Sequence, residues 1–403
     1  MSDVSAPVTL PPLALYVHMP WCVRKCPYCD FNSHAVSAGD DSLPEAGYMA
    51  ALLADLDQDL ADFPGTAARE IVSIFIGGGT PSLISPDGYA TLFAGLRQRL
   101  RLAPDIEITL EANPGTVEQG LFKGYHEVGI NRLSIGVQTF QSEQLKALGR
   151  IHSGDEATRA ADSARAAGFT TFNLDLMHGL PGQSVEQALD DLRRAIALKP
   201  THLSWYQLTL EPNTVFYRQQ PVLPEEDVLA DIQEAGQALL AAEGFGQYEV
   251  SAYARPGHRC RHNLNYWQFG DYLGIGAGAH GKLSALTADG LSIVRTAKTR
   301  TPRDYLAAAQ AAATGTSAAF RASAQGIAVD ELPFEFMLNT LRLIEGVPSG
   351  LWHERTGLAD AVVAATMQDL RARGLLLPEG ERLAATELGQ RYLNRVIETF
   401  LPA

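Results

Sequence analysis

Six times between residues 13 and 211 a short apolar run gives way to a helical pattern, and this alternation limits the possible folds most. The runs are LALYVH (13–18), IVSIFI (71–76), IEITL (106–110), RLSIGV (132–137), TTFNLDL (170–176) and HLSWYQLTL (202–210). Each is strand-length, rich in β-branched or aromatic residues and followed by polar or turn residues. Between the first two, residues 45–63 place Tyr48, Leu52, Leu56, Leu60 and Phe63 at three- and four-residue spacing, one apolar helical face. Ser184 and Gln187 have capping-box spacing ahead of Leu189, Leu192 and Ile196. Repeated strand–helix units imply parallel strands joined by right-handed crossovers, hence a barrel or an open doubly wound sheet.

The polar residues choose between these. The cysteines at 22, 26 and 29 follow the first strand, and Gly77-Gly78-Gly79-Thr80 follows the second. Glu111 ends the third, Gln138 the fourth, Asp175 and His178 the fifth, and Glu211 the sixth. Parallel α/β barrels carry their sites on the C-terminal strand edge. The expectation is an α/β partial barrel of six units over residues 13–245, after a tail at 1–12. From 246 to 325 the chain changes character, with Gly, aromatics and His concentrated in RCRHNLNYWQFGDYLGIGAGAHG; the run 274–281 reads as a tight loop. Residues 326–403 read as a mainly helical, winged-helix-like domain. In it ELPFEFMLNTLRLIEG forms a helix ended by Gly346, its apolar face Phe334, Met337, Leu338, Leu341 and Ile344, and LLLPEGERLAAT is hairpin-like.

Charge and composition exclude several classes. Of the 403 residues, 32 are Lys or Arg and 46 are Asp or Glu, a net charge of −14 without a visible basic stripe, so no nucleic-acid partner is expected. No apolar stretch approaches the roughly 20 residues that span a bilayer, and MSDVSAPVTLPP lacks the n- and h-regions of a signal peptide. A cytoplasmic protein is expected, with peripheral membrane association left open. Four cysteines do not make a disulfide scaffold.

Cys22-x3-Cys26-x2-Cys29 is the strongest single motif. Three thiolates are one fewer than a 4Fe–4S cluster needs, which leaves one iron open to an exchangeable ligand. Zinc is the alternative; it would need a fourth ligand from His18, His34 or Cys260.

LYVHMPWCVRKCPYCDF resembles the signature of the radical S-adenosylmethionine (SAM) superfamily, in its coproporphyrinogen oxidase-like branch. IGGGTPSLI, ITLEANPG, RLSIGVQTF and NLDLMHGLPGQ are similar to further blocks of that branch, in the same order. The resemblance implies that Cys22, Cys26 and Cys29 hold a 4Fe–4S cluster whose open iron is chelated by SAM. It further implies SAM contacts from Gly78, Gly79, Thr80, Glu111, Gln138, Arg150 and Asp175, with Tyr16 beside the cluster and Tyr28 on the adenine side. Arg24 and Lys25, inside the cysteine loop, would offset the cluster's negative charge. A reductant for the cluster is implied as a partner.

Two subgroups divide the branch. Oxygen-independent coproporphyrinogen III oxidases carry a fourth cysteine two residues after the third, where this chain has Phe31. The heme chaperone HemW subgroup resembles it in CPYCDFNS and in an HNxxYW block, here His262-Asn263-Leu264-Asn265-Tyr266-Trp267. That resemblance implies heme as a bound group and heme-acceptor proteins as partners, with His262 as the candidate iron ligand and Cys260 as another. Oxidative decarboxylation of coproporphyrinogen III is the alternative activity. No side chain is singled out as catalytic.

Overall fold

The computed structural model describes residues 8–36, 43–288, 290–314 and 320–402; most of the expected tail (1–7) and part of the segment 246–325 (289 and 315–319) lie outside them. The six expected strands are β1 Leu13–Met19, β2 Glu70–Gly78, β3 Arg101–Ala112, β4 Arg132–Gln138, β5 Thr171–His178 and β6 His202–Gln207. They lie side by side in chain order and all run parallel. Helices between them cover one face of the sheet. Leu15 and Val17, Ile74 and Ile76, Leu133 and Ile135, and Leu174 and Leu176 are buried there. Because side chains alternate along a strand, Tyr16, Phe75, Glu111, Ser134 and Asp175 share the opposite, inner face.

Helix boundaries follow local chemistry. The helix Glu45–Asp62 buries Tyr48, Leu52 and Leu56, as the spacing predicts. Ser184 accepts from the Gln187 amide and Gln187 reaches back to the Ser184 amide, completing the capping box before Val185–Ala197.

The segment 246–325 extends the sheet at both edges. β7 Gly246–Glu249 and β8 Ala252–Ala254 add antiparallel strands beyond β6. β9 Asp271–Ile275 pairs in parallel with β1, a seventh parallel strand that the alternation did not disclose. β10 His280–Thr287, β11 Gly290–Lys298 and β12 Arg321–Gly326 then continue antiparallel. The expected tight loop at 274–281 is therefore corrected to strand, turn and strand, with Gly276 and Gly278 at φ 108° and 80° making the turn. Asp271 anchors this junction: its buried carboxylate meets Lys282 at 3.0 Å and Arg69 at 2.9 Å.

The C-terminal helices Leu332–Thr340, Leu351–Thr356, Ala364–Ala372 and Leu393–Glu398 close over a second apolar core. Tyr248, Ala252, Ala254 and Ile293 from the sheet, and Phe269 from the turn before β9, contribute to that same core. The helix expected to run to Gly346 stops at Thr340 instead. The reason is tertiary: the Ile344 amide donates to Tyr248 O at 3.0 Å and Leu343 bridges to Glu249, so the sheet edge captures this backbone. Leu338, assigned above to the apolar face, is exposed, and Leu332 and Phe336 are buried in its place. The hairpin-like stretch does pair, Leu376 bridging to Ala385 and the Leu377 amide donating to Ala384 O at 3.0 Å. Among the described residues no helix is long and apolar enough to cross a membrane.

Candidate functional site

The cysteine loop leaves β1 and folds on itself. Trp21–Cys22 pairs in parallel with His34–Ala35, and the Cys29 amide donates to Cys26 O at 3.2 Å. Lys25 Nζ spans the loop, donating to the carbonyls of Phe31 (3.0 Å) and Ser33 (3.3 Å). Its ammonium thus closes the loop as well as placing charge beside the thiols. Asn32 Nδ2 ties the loop to the turn after β9 and to the chain after β11, donating to Ala277 O (2.9 Å) and Arg300 O (2.8 Å). Cys22 is buried, Cys26 and Cys29 are half-buried, and all three are free and line one cavity of about 260 Å³. Burial pushes the Cys22 and Cys29 thiols up, so ligation as thiolates would release protons.

The glycine run forms the wall opposite. Gly78 has φ 113°, and a Cβ there would lie 2.5 Å from the His18 ring. A Cβ on Gly79 would lie 2.5 Å from Trp21 O. These glycines are required first by close packing of β2 on the cysteine loop, with the Gly79 amide donating to Met19 O (2.6 Å) and Thr80 to Trp21 O (2.7 Å). Gly78, Gly79 and Thr80 still line the cavity.

Two carboxyls face it from the inner strand face. Glu111 Oε2 accepts from the Gly78 amide at 3.1 Å. Burial, reinforced by the nearby Asp175, pushes the Glu111 carboxyl up to about 8 despite that bond. Asp175 accepts from Ser134 Oγ (2.7 Å) and Asn173 Nδ2 (2.8 Å), and burial likewise raises its carboxyl. A cationic or hydroxyl-bearing ligand would satisfy both.

Arg150 joins the strand ends to the cysteines. Its Nη2 donates to Gly136 O (2.7 Å) and Asn113 Oδ1 (2.9 Å), and Nη1 points to Cys26 Sγ at 3.8 Å. Asn113 in turn donates to Thr80 Oγ1 at 3.3 Å. Tyr28, between two cysteines, lines the cavity with its ring 6.3 Å from Phe216. Gln138 lies at a register shift with φ 66°, and Tyr206 donates to its Oε1 at 2.9 Å.

Not every candidate converges. The Tyr16 hydroxyl bonds His18 Nδ1 (2.8 Å), whose Nε2 bonds Asn32 O (2.9 Å), so Tyr16 reaches the cysteine loop through His18 and does not line the cavity. Both His18 nitrogens are thereby engaged, which removes it as a fourth zinc ligand. His178 packs 4.2 Å from the Trp205 ring, and Glu211 does not line the cavity.

His262 lies on the short helix Arg261–Trp267 against the inner sheet face. Its ring stacks on Phe75 at 4.3 Å, with Tyr266 at 4.6 Å. Nδ1 is buried without a partner, and burial, then the charge of Arg132, lowers the imidazole to about 3, so it is neutral. Cys260 is 1% exposed, its thiol pushed up to about 12 by burial and directed at Glu107 at 3.5 Å. As an accessible iron or zinc ligand it is corrected: the thiol is a closed part of the barrel floor.

Asn113, Ser134 and Tyr206 belong to the site and were not singled out from sequence. Asn113 sits inside the ITLEANPG block, two residues after Glu111, and could have been named from it. Ser134 likewise sits inside the RLSIGVQTF block, four residues before Gln138, whereas Tyr206 carried no such signal, since only the strand register brings it to Gln138.

Comparison with known proteins gives the family and the fold. Residues 16–195 match the model of the radical SAM superfamily, and residues 327–392 match that of the HemN C-terminal domain. The chain is 52% identical over 394 residues to heme chaperone HemW of Escherichia coli (strain K12), covering 98% of this chain and 99% of that one. It is 47% identical to the heme chaperone HemW of Haemophilus influenzae, covering 97% and 98%. With a mouse protein, radical S-adenosyl methionine domain-containing protein 1, mitochondrial, it shares 36% identity over 96% and 87% of the two chains. The solved structure of Escherichia coli coproporphyrinogen III oxidase (HemN), a radical SAM enzyme, superimposes with a TM-score of 0.77 at 23% identity over 97% of this chain and 90% of that one, a likeness of fold. The chain belongs to the HemW family of the radical SAM superfamily.

Proposed function

We propose that this chain is a heme chaperone: it binds heme and passes it to acceptor proteins, and it carries a 4Fe–4S cluster with exchangeable SAM. The observation that carries this reading is the 52% identity to a heme chaperone along nearly the whole of both chains. Membership of the radical SAM superfamily implies the cluster and SAM. The donor set suits them. Three free thiols line one cavity, yet among the described residues no three His, Cys, Asp or Glu side chains are close enough to share one metal ion. A cubane offers each thiolate its own iron, whereas a mononuclear zinc site draws its ligands to a point.

Cys22, Cys26 and Cys29 would hold the cluster. Gly78, Gly79, Thr80, Glu111, Gln138, Arg150 and Asp175 would hold SAM, with Tyr28 on the adenine side and Tyr16 acting through His18 on the loop. When bound, the pair supplies one-electron chemistry that can generate a 5′-deoxyadenosyl radical. The chain's own part is to orient a zwitterion: carboxyls for its amine and hydroxyls, and the Arg150 donor toward Cys26 for its carboxylate. A reductant is a further partner.

Heme is the cargo and His262 the iron ligand in this reading. A neutral imidazole with a free nitrogen is a competent ligand. Its ring stacks on Phe75 beside Tyr266, and in this reading a shift of the helix Arg261–Trp267 frees it for iron. Phe31, in place of the oxidase subgroup's fourth cysteine, argues against decarboxylation and is 58% exposed at the cavity mouth.

The test is anaerobic heme titration of the reconstituted protein, followed by transfer to an apo-acceptor and a parallel assay for decarboxylated coproporphyrinogen III. Stoichiometric heme binding and transfer without decarboxylated product are expected. Turnover of coproporphyrinogen III without heme transfer would overturn the reading. His262→Ala should shift the heme absorption bands, and an unchanged spectrum would remove that ligand.

A further inference from the structure

Beneath the cavity a line of buried polar groups, joined at Asn173 by the Ser134 and Ser204 hydroxyls, runs from Asp175 to the helix Arg261–Trp267. Asp175 Oδ1 accepts from Asn173 Nδ2 at 2.8 Å. Asn173 Oδ1 lies 2.7 Å from His202 Nδ1, and His202 Nε2 lies 2.8 Å from the Tyr248 hydroxyl. Asn263 Nδ2, from the HNLNYW block, donates to that hydroxyl at 3.1 Å. Asn173, His202 and Tyr248 are each 1% exposed.

The donors and acceptors fix one direction. The Ser134 hydroxyl spends its proton on Asp175 and accepts from Asn173 Nδ2, while the Ser204 hydroxyl donates to Asn173 Oδ1, so Asn173 turns its amide nitrogen to Asp175 and its oxygen to His202. His202 must then carry its proton on Nδ1, which leaves Nε2 as a lone pair for the Tyr248 proton. The Tyr248 oxygen is finally free to accept from Asn263. Burial and the nearby charge of Arg132 keep His202 neutral, as this order requires.

Parallel barrels ordinarily fill this layer with branched apolar side chains. Buried polar groups are tolerated only when each is satisfied, and a chain satisfied in one sense alone resists rotation of any member. Asp175 has its second oxygen on Ser134, so its plane is set by two strands at once.

We propose that His202, Tyr248 and Asn263 are positioning residues that orient Asp175 for SAM, and that this chain makes SAM affinity depend on the helix carrying the HNLNYW block. The proposal rests on the assignment of Asp175 to the SAM site. It links a helix assigned to heme with a carboxylate assigned to SAM through four hydrogen bonds and no shared ligand.

The experiment measures SAM affinity by equilibrium dialysis on the full-length, cluster-reconstituted protein, with iron content and melting temperature as controls. Tyr248→Phe keeps the packed ring and removes the link. It should weaken SAM about fivefold, and Asn263→Ala, at the half-exposed end, about two- to threefold, both with iron content unchanged. In an Asp175→Asn background Tyr248→Phe should have no further effect, because the group it orients has been altered. If Asp175→Asn alone leaves affinity unchanged, the SAM assignment fails and takes the proposal with it. If Asp175→Asn weakens SAM while Tyr248→Phe does not, or the two add fully, the chain only fills the interior and the proposal is overturned.

Discussion

The Tyr206 hydroxyl donates to Gln138 Oε1 at 2.9 Å, across the intervening strand β5. That bond holds a non-glycine residue at φ 66°, where the register of β4 slips by one residue against β5. Left-handed backbone at such a residue costs about 1–3 kcal/mol and persists where the surroundings impose it. Gln138→Gly should therefore leave stability equal or raised by about 1 kcal/mol while SAM affinity falls roughly tenfold. Thermal melts and SAM dialysis on the same samples check this. Undiminished SAM binding would make Gln138 a backbone device only.

The three thiols and Arg150 separate cluster retention from SAM binding. Cys22→Ala, Cys26→Ala or Cys29→Ala should each reduce anaerobically reconstituted iron from about four per chain to a small residue. Arg150→Lys loses the fork that grips Gly136 O and Asn113 but leaves the thiols intact. It should retain iron and bind SAM about tenfold more weakly. Iron analysis beside the SAM-induced change in the reduced cluster's electron paramagnetic resonance signal resolves the two effects.

Glu111 gives a pH signature to the metal-free protein. Its folded carboxyl titrates at about 8 against an ordinary value of 4.5, so the folded state holds the proton more tightly than the unfolded chain. The stability this group contributes is complete below 4.5 and is lost as pH rises through 8. Glu111→Gln should flatten the decline in melting temperature between pH 5 and roughly 8.5. An unchanged slope would place the Glu111 titration elsewhere.

Phe336 tests the joint between sheet and C-terminal helices. It is fully buried and meets Phe269 edge-on at 5.6 Å and Trp352 at 5.4 Å. Phe336→Ala should destabilise by about 3–5 kcal/mol, read by chemical denaturation. A chain ending near 325 keeps every cysteine of the loop but bares Phe269, Tyr248 and Ile293, so it should aggregate although its cluster ligands are retained. A soluble, monomeric truncation would show that the shared core is dispensable.

Much of the site was legible because it is made of strand ends. A run such as IVSIFIGGGT announces a buried strand and the turn that ends it, and parallel topology sends all such ends to one edge. Tyr16 was harder to read. Its place in LALYVH gives the strand, but that its hydroxyl meets His18 and that His18 bonds Asn32 O depends on how the loop folds back. The seventh parallel strand hid inside a glycine-rich stretch, because DYLGI pairs with β1 only after more than 250 intervening residues have been placed.

The sequence alone determined the order of strands and helices from residue 13 to 211, the three-thiol loop and the edge on which polar residues gather. Each depends on local periodicity, turn chemistry or the clustering of one residue type. Tertiary structure alone decided the rest: the helix stopping at Thr340, the closure of Cys260 into the barrel floor and the line from Asp175 to Asn263. These depend on register between distant strands and on which face the helices cover. Hydrogen bonds reach only about 3 Å, so a partner 30 or 150 residues away is set by packing and leaves no mark in the local pattern.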